Sequence, residues 1–262
     1  MFSLIYHATE FELQNALHLA YLSELTYHDE YYIQEKLASL YPKFQFLESH
    51  PASGYDTELF VASNQEAILV AFRGTEGSSL EDWVNNIDNR AFAYQGGTLH
   101  RGFWEALDAI WDLLCKQIQD FRIKNQKIWL TGHSQGGALA MLAARRLIAE
   151  KLAIQGVYTY GQPKIGDMLF AANYDSILKK QTFRLYNEDD PIVNNPPKLY
   201  HAGTPVRIFK NGGFEIEYFK NMFETGGLSF TSLLDSLLDY ATDNLQSHSV
   251  ATYIERLKNN IT

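Results

Sequence analysis

The stretch KIWLTGHSQGGALAMLAARR, residues 127–146, joins a predicted strand to a predicted helix through a serine. KIWLTG is a short apolar run typical of a buried strand, and GALAMLAARR is apolar on nearly all sides for two turns, as in a buried helix. Gly132 and Gly136 flank Ser134 at two residues on each side. A nucleophilic serine on a sharp strand-to-helix turn has this arrangement, because glycines lack the Cβ atoms that would clash where strand and helix meet.

The Gly-x-Ser-x-Gly pattern is weak by itself, since it arises by chance in on the order of one chain in ten of this length. The strand before it and the helix after it make an accidental match much less common. We therefore interpret Ser134 as a nucleophile, and an inert serine in a tight corner is the alternative.

Strand and helix patterns alternate on both sides of this stretch. Upstream, residues 57–63 and 67–73 predict a hairpin, and apolar residues at a 3.6-residue period predict one helix over 103–121. Downstream, GVYTYG, NYDSILKKQ and TFRLYN predict a strand, a helix and a strand. Helices between strands are typical of a mostly parallel sheet covered on both faces, with active sites at the carboxyl ends of the strands. The sequence therefore predicts the α/β class.

The two ends of the chain add further elements. Thr9 and Glu12 form a capping-box pattern, which predicts a helix at the start. PVRIF and GFEIEYF predict a hairpin, LLDSLLDYATDNL (233–245) predicts a helix, and a last helix is expected from about Ser249. Neither a repeat nor a linker divides the sequence, so we expect one domain over residues 1–262.

Composition and charge exclude several classes of protein. Of the 262 residues, 46% are hydrophobic and 20% are charged, which is typical of a globular domain. The net charge of -9 disfavours binding to nucleic acid. Cys115 is the single cysteine, which excludes intrachain disulfides and cysteine-built zinc sites, and we expect neither a metal nor a cofactor.

The sequence predicts no transmembrane segment. The longest nearly apolar run, residues 137–144, stops at Arg145, far short of the roughly 18 residues that a spanning helix needs. The start lacks the cationic region of a secretory signal peptide. We therefore expect a cytoplasmic location or export by a leaderless route, and any contact with a membrane is expected to be peripheral.

A nucleophilic serine needs a base, and the base needs an acid that orients it. In the α/β-hydrolase arrangement the order is serine, acid, histidine, which leaves His201 and His248 as candidate bases. The acid is expected after a later strand, and TFRLYN is followed by Asp189, Asp190 and a proline. Asp190 is our first choice, with Asp189 and Asp167 as alternatives. His248 is the favoured base because it lies beyond the later strands, in a turn before the last helix.

The oxyanion formed during acyl transfer needs hydrogen-bond donors. The backbone N–H of Gln135, the residue after the serine, is expected to be the first donor. VAFRGTEGSS (70–79) contains the end of a predicted buried strand, and its Thr75 offers a backbone N–H and a hydroxyl as the second. An ordinary turn with a salt-bridged Arg73 is the alternative.

Several of these stretches together resemble the class 3 lipases, a triacylglycerol lipase family with the α/β-hydrolase fold. The resemblance implies Ser134 as nucleophile, Asp190 as orienting acid, His248 as base, and Thr75 with the Gln135 N–H as oxyanion hole. It implies a cofactor-independent lipase that acts on acylglycerols. The lipid substrate is then expected at a membrane or an oil–water interface. The matching stretches, in family order, are VAFRGT (70–75), EDWVNNID (81–88), LHRGFWEAL (99–107), TGHSQGGALA (131–140), YTYGQPKIGD (158–167), NEDDPIVNNPP (187–197) and HSVATYIERL (248–257).

The family typically covers its site with a short helical lid soon after the position of Thr75. Here an apolar face at helical spacing is formed by Leu80, Trp83, Val84 and Ile87. Such a face could cover the cleft in water and lie on lipid when open, while a fixed, core-packed helix is the alternative. For the segment 233–245 we favour packing in the core, and a second cover over the site is the alternative.

Other functions remain open on the same residues. A phospholipase or a short-chain or feruloyl-type esterase would use the same triad, and a catalytically silent lipid-binding relative is a further alternative. Secreted fungal members of the family carry leaders and disulfides, whereas we expect no leader here and the single cysteine excludes an intrachain disulfide. Gln135 stands where those enzymes commonly have leucine, but the oxyanion hole uses only the backbone N–H of that residue.

Overall fold

The computed structural model describes residues 4–41, 44–51, 58–75, 91–123, 125–217 and 245–261. Within these ranges the strands form an eight-stranded sheet and a separate two-stranded sheet. The strands are β1 (Gln45–Pro51), β2 (Glu58–Ser63), β3 (Ala67–Phe72), β4 (Ala91–Tyr94), β5 (Gly97–His100), β6 (Lys127–His133), β7 (Ile154–Tyr160), β8 (Thr182–Asn187), β9 (Thr204–Ile208) and β10 (Phe214–Ile216). The α-helices are α1 (Leu13–Leu25), α2 (Glu30–Leu40), α3 (Arg101–Asp108), α4 (Trp111–Phe121), α5 (Gln135–Ala149), α6 (Met168–Leu178), α7 (Leu245–His248) and α8 (Val250–Lys258).

The large sheet is mostly parallel, as the alternation of strands and helices predicts. Its strand order is β1-β2-β3-β6-β7-β8-β9-β10, and neighbours from β3 to β9 run parallel. At one edge β1, β2 and β3 pair antiparallel, and at the other edge β10 pairs antiparallel with β9. Both predicted hairpins are therefore confirmed. In the first, the Asn64 side-chain oxygen accepts the N–H groups of Glu66 and Ala67, at 2.9 and 2.8 Å.

Helices cover both faces of this sheet, and strand residues alternate between the two layers. In β3, Ile68, Val70 and Phe72 pack against the layer of α3, α4, α5 and α6. Leu69 and Ala71 pack against the layer of α1, α2 and α8. Every residue of β3 is buried as a result, which explains why its sequence is apolar without alternation.

The prediction of a single helix over 103–121 is wrong, because α3 ends at Asp108 and α4 begins at Trp111. The two helices pack against different elements: α3 packs on α5, and α4 packs on β2. The Arg146 guanidinium lies over the rings of Trp104 and Trp111, 4.5 and 3.9 Å from their centroids. Both pieces bury an apolar face in the same layer, so the period continues although the helix breaks.

The capping box predicted at Thr9 and Glu12 is also wrong. Glu12 is itself the N-cap residue of α1, in an extended conformation and without a side-chain cap hydrogen bond. The chain before α1 is tied to β7 instead. The Ala8 carbonyl accepts a hydrogen bond from Gln155 Nε2, at 2.7 Å, and the Glu12 N–H donates to the Tyr158 hydroxyl, at 3.1 Å. These contacts anchor the segment to β7 up to Glu12.

The end of the chain forms the predicted last helix. Ser249 is the N-cap residue of α8, and its hydroxyl accepts the Ala251 N–H at 3.3 Å. His248 ends the short α7 rather than lying in an open turn, and it is 1% exposed. This burial separates it from the inert surface histidine that such a position often holds.

Two predictions fall outside the residues that the structure describes. The lid residues belong to the segment 76–90, and the helix predicted over 233–245 lies almost entirely within 218–244. The lid residues in question are Leu80, Trp83, Val84 and Ile87. Among the described residues, no helix has both the length and the hydropathy needed to cross a bilayer.

Candidate active site

Ser134 lies at the tip of a sharp turn between β6 and α5. Its backbone has φ +56° and ψ -126°, and such a conformation costs on the order of 1–3 kcal/mol in a residue other than glycine. Its N–H donates to the Tyr160 carbonyl at the end of β7, at 2.8 Å, which helps to hold the turn. A Cβ on Gly132 would lie 2.3 Å from the backbone of Gly136, and one on Gly136 would lie 2.2 Å from the Phe72 carbonyl oxygen. The two glycines therefore allow β3, β6 and α5 to approach the serine.

The two residues predicted for the oxyanion hole lie together beside this turn. The Thr75 hydroxyl, just beyond β3, donates to the Gln135 side-chain oxygen at 2.7 Å. Gln135 is the first residue of α5, so its backbone N–H lies outside the intrahelical ladder. A Cβ on Gly74 would lie 3.2 Å from Ser134 Cβ, which places the end of β3 against the serine. The arrangement can present backbone donors next to the Ser134 hydroxyl.

Asp190 and His248 form a buried hydrogen-bonded pair. His248 Nδ1 lies 2.8 Å from Asp190 Oδ2, and the two residues are 1% and 2% exposed. The Ile192 N–H donates to the other carboxylate oxygen, Oδ1, at 2.9 Å. Since the carboxylate is the acceptor, Nδ1 carries the proton and Nε2 keeps a lone pair. In this tautomer His248 can accept a proton at Nε2.

Tyr253 is hydrogen-bonded to this pair, and the sequence did not predict its role. Its hydroxyl donates to Asp190 Oδ2 at 2.6 Å and accepts the Asn187 N–H at 3.0 Å. Burial, and then the Asp190 carboxylate, raise the pKa of Tyr253 well above its ordinary value, so it remains a donor. Its position five residues after His248, on the apolar face of a helix, was the available signal.

Ser134 and His248 both lie against the end of β7. Gly161 follows Tyr160, whose carbonyl accepts the Ser134 N–H, and it has φ +58°. A Cβ on Gly161 would lie 2.8 Å from His248 Cε1 and 2.9 Å from Asp190 Oδ2. Ser134 Oγ and His248 Nε2 are buried, and among the described residues neither has a hydrogen-bond partner. Hydrogen bonds between a nucleophile and its base often tighten only when substrate binds. If Ser134 is the nucleophile and His248 its base, as the sequence predicts, these are the two atoms that exchange the proton.

Asp189, one of the alternative acids, has a different partner. Its carboxylate accepts two hydrogen bonds from Arg256, at 2.7 and 3.2 Å. Although burial favours the neutral form, the bonds from Arg256 hold the pKa of Asp189 below its ordinary value. The neighbouring carboxylates of this loop thus face in different directions, one towards Arg256 and the other towards His248.

The remaining alternatives, Asp167 and His201, are also used elsewhere. Asp167 caps α6 by accepting the Phe170 N–H at 2.8 Å, and it also accepts the N–H and hydroxyl of Thr98. His201 Nε2 donates to the Val193 carbonyl at 2.7 Å. Neither residue is hydrogen-bonded to the Asp190–His248 pair. In the described part of the chain, no group of three or more His, Cys, Asp and Glu side chains is arranged to hold a metal ion.

Comparison with known proteins identifies related sequences over most of this region. The family model of Lipase (class 3) matches residues 69–200. A lipase of Rhizomucor miehei is 31% identical over 202 residues, which cover 70% of this chain and 55% of the relative. The secreted mono- and diacylglycerol lipase 1 of Fusarium solani is 28% identical over 155 residues, which cover 57% of this chain and 45% of the relative. The chain spans about half the length of the curated relatives it matches.

The fold has close counterparts among solved structures. The native propeptide complex of the Rhizomucor miehei lipase aligns with a TM-score of 0.66 at 26% identity, covering 78% of this chain and 70% of that one. The fold is that of the α/β-hydrolase lipases, as the sequence predicts.

Proposed function

This chain belongs to the class 3 lipase family, and from that premise we propose that it is a serine hydrolase that cleaves the carboxylic esters of acylglycerols. The observation that supports this most directly is the buried hydrogen bond of 2.8 Å between His248 Nδ1 and Asp190 Oδ2, beside the strained turn of Ser134. A serine becomes a nucleophile when an oriented base can take its proton.

In the first half of the proposed reaction, Ser134 Oγ attacks the ester carbonyl carbon while its proton passes to His248 Nε2. Asp190 orients the imidazole and stabilises the positive charge that it gains. The backbone N–H groups of Gln135 and Thr75 donate to the oxyanion of the tetrahedral intermediate. The intermediate collapses, His248 returns the proton to the leaving alcohol, and an acyl-enzyme remains on Ser134.

In the second half, water replaces the alcohol. His248 takes a proton from the water as its oxygen attacks the acyl carbon, and a second tetrahedral intermediate forms in the same oxyanion hole. Its collapse breaks the bond to Ser134 Oγ, which regains the proton from His248. The products are a fatty acid and the free enzyme, and the cycle needs no cofactor.

Two observations support acylglycerols at a lipid surface as the substrate. A relative is named a mono- and diacylglycerol lipase, and apolar residues soon after Thr75 recur at helical spacing in the sequence, which predicts an apolar face. Such a face would bind to the surface of an emulsion or membrane and leave the site open to lipid. We therefore propose that the enzyme acts at an oil–water or membrane interface.

The nucleophile is tested with Ser134→Ala in the full chain. Labelling by a fluorophosphonate probe should be lost, and kcat for a soluble ester should fall on the order of 10⁶-fold, as in other serine hydrolases. Ser176→Ala is the matched control, since the Ser176 hydroxyl is exposed on α6 and donates only to the Asn173 carbonyl. Labelling that persists in Ser134→Ala would contradict the assignment.

The substrate is tested by comparing emulsified triacylglycerol and diacylglycerol with phospholipid vesicles and short-chain esters, each with wild-type enzyme and Ser134→Ala. We expect the acylglycerols to be preferred and the rate to rise sharply when a short-chain triacylglycerol passes from monomer to emulsion. A preference for phospholipid or soluble esters would contradict the acylglycerol assignment. A rate that follows the concentration smoothly through that transition would contradict the interface proposal.

A further inference from the structure

His133 precedes Ser134 at the end of β6 and has a partner at each ring nitrogen. Its Nδ1 lies 2.8 Å from the Tyr27 hydroxyl, and its Nε2 lies 2.5 Å from the backbone carbonyl oxygen of His248. The side chain is buried, and its ring is tilted against that of His248 with centroids 4.6 Å apart. His133 thus connects the turn after α1 with the end of α7, directly beside the proposed nucleophile.

The direction of both hydrogen bonds follows from the His248 carbonyl. A carbonyl oxygen can only accept, so His133 Nε2 carries the proton and donates to it. In a neutral imidazole the other nitrogen then has a lone pair, so the Tyr27 hydroxyl donates to His133 Nδ1. The two bonds satisfy the ring completely, and they determine both its tautomer and its orientation.

His133 is neutral in this arrangement. Burial, and then the proximity of His248, lower the pKa of His133 well below its ordinary value. His248 must carry a positive charge while it holds the serine proton, and a second imidazolium at this distance would oppose that charge. A neutral His133 can touch the base without that repulsion.

We propose that Tyr27 and His133 are positioning residues for His248, an inference that rests on the proposed function. His248 is held at two points: Asp190 accepts a hydrogen bond from its ring, and His133 donates one to its backbone carbonyl. Tyr27 fixes the ring that makes the second bond. Catalysis by an oriented base is sensitive to displacements of about 1 Å, so a base held only by its ring would be less well aligned.

Tyr27 also contacts the strand that leads to the oxyanion hole. A Cβ on Gly74 would lie 2.5 Å from the Tyr27 hydroxyl oxygen and 2.4 Å from the His133 carbonyl oxygen. The Arg73 guanidinium lies 5.8 Å from the centre of the Tyr27 ring. The hydroxyl therefore packs where β3, β6 and the base come together, and Gly74 leaves the space that it occupies.

The first test is Tyr27→Phe, which removes the hydroxyl and keeps the ring. We expect kcat for a soluble ester, and the rate of fluorophosphonate labelling of Ser134, to fall by roughly 5- to 10-fold, the effect of one buried hydrogen bond. KM should stay within about 2-fold, because the base is not part of ground-state binding. Tyr174→Phe is the matched control: its buried hydroxyl bonds to Thr182 Oγ1, at 2.8 Å, in the opposite helical layer.

The second test replaces His133 by two residues of different hydrogen-bonding capacity. His133→Gln keeps a donor near the position of Nε2 and an acceptor for Tyr27, and it should retain kcat within roughly 10-fold of wild type. His133→Leu keeps the bulk without either group, and kcat should fall on the order of 100-fold, since the base is then misplaced. Rescue by glutamine distinguishes positioning from the filling of space.

A third measurement follows the His133 Nε2 proton directly by NMR. The bond to the His248 carbonyl predicts a downfield imidazole proton that exchanges slowly with water in the wild type and faster in Tyr27→Phe. Circular dichroism melts accompany all variants. A Tyr27→Phe protein that keeps kcat and the slow proton exchange, with only a lower melting temperature, would overturn the proposal.

These outcomes separate the inference from the proposed function. Wild-type protein that is not labelled at Ser134 would contradict the proposed function, whatever the NMR result. Wild-type protein that is labelled, with Tyr27→Phe and His133→Leu labelled equally fast, would leave the proposed function intact and overturn the positioning roles.

Discussion

The segment that the family model matches and the two ends of the chain contribute to the site in different ways. Residues 69–200 carry Ser134, Thr75 and Asp190, and each of these lies at or just beyond the end of a strand. The ends carry Tyr27 on one side and His248 with its helix on the other. Helices α1 and α8 pack together on one face of the sheet, so the two ends meet there.

The two regions also differ in what fixes the functional groups. In the matched segment the backbone does most of this, through strand ends, the strained Ser134 turn and the glycines that permit close approach. At the ends side-chain hydrogen bonds do it, since Tyr253 and His248 bond to Asp190 and Tyr27 bonds to His133. Constraints from the backbone can be predicted from a sequence motif. Hydrogen bonds between distant side chains become visible only in the folded structure.

The largest effect in this comparison is expected from Asp190→Asn, at the contact between the two regions. The Ile192 N–H is fixed and needs an acceptor, so the amide oxygen should face it. The NH₂ group then takes the place of Oδ2 and faces His248 Nδ1, and the Tyr253 hydroxyl, which donates to Oδ2 in the wild type, must rotate away. His248 would then carry its proton on Nε2 and could not accept the serine proton. We expect kcat to fall about 10⁴-fold, as when an orienting aspartate is replaced in other triads. Steady-state hydrolysis of a soluble ester checks this.

Asp189→Asn is the control for that variant, since it makes the same change one residue earlier. Its carboxylate bonds to Arg256 rather than to His248. A larger loss of kcat in Asp189→Asn than in Asp190→Asn would mean that the acid has been assigned to the wrong residue.

An intermediate effect is expected from Gly161→Ala, which disturbs the place where the matched segment touches the base. The added Cβ would lie 2.8 Å from His248 Cε1 and 2.9 Å from Asp190 Oδ2, so the imidazole must move. We expect kcat to fall on the order of 100-fold, because displacement of a catalytic group by about 1 Å has that effect. The stability loss from an alanine at positive φ should be on the order of 1 kcal/mol.

Gly96→Ala separates the loss of stability from the loss of kcat. Gly96 has φ +89°, and a Cβ there would meet nothing within 4 Å. Gly96→Ala should lose only the stability that an alanine at positive φ costs, and it should keep its kcat. Equal losses of kcat in the two variants, measured beside their melting curves, would contradict a specific contact between Gly161 and the base.

The sequence predicted what local pattern determines and missed what depends on distant contacts. The sheet follows from continuous apolar runs, and the positions of Ser134 and Asp190 follow from the strands that precede them. Tyr253 and Tyr27 were missed because their partners, Asp190 and His133, are 63 and 106 residues away in the chain. The break between α3 and α4 was missed for a related reason. Apolar periodicity predicts which face of a helix is buried, but it does not predict which neighbour that face packs against.

The smallest expected effect is the loss of stability in Asp189→Asn, and this loss depends on pH. The pKa of Asp189 is held below its ordinary value by Arg256, against the effect of burial, so the unfolded chain binds this proton more tightly than the folded protein does. The ion pair therefore stabilises the fold above the unfolded pKa of about 4, and this contribution is lost as the pH falls through the folded pKa.

At pH 7 the Asp189→Asn variant should lose about 1 kcal/mol of unfolding free energy, since the pair is only partly buried, and its melting temperature should fall by about 2–4 °C. As the pH falls below about 4, the melting curves of variant and wild type should approach each other. Activity should change little at pH 7, because the Ser247 hydroxyl bonds to the Asp189 backbone carbonyl, which the substitution keeps. A stability difference that persists unchanged to pH 3 would show that this ion pair does not tie α8 to the matched segment.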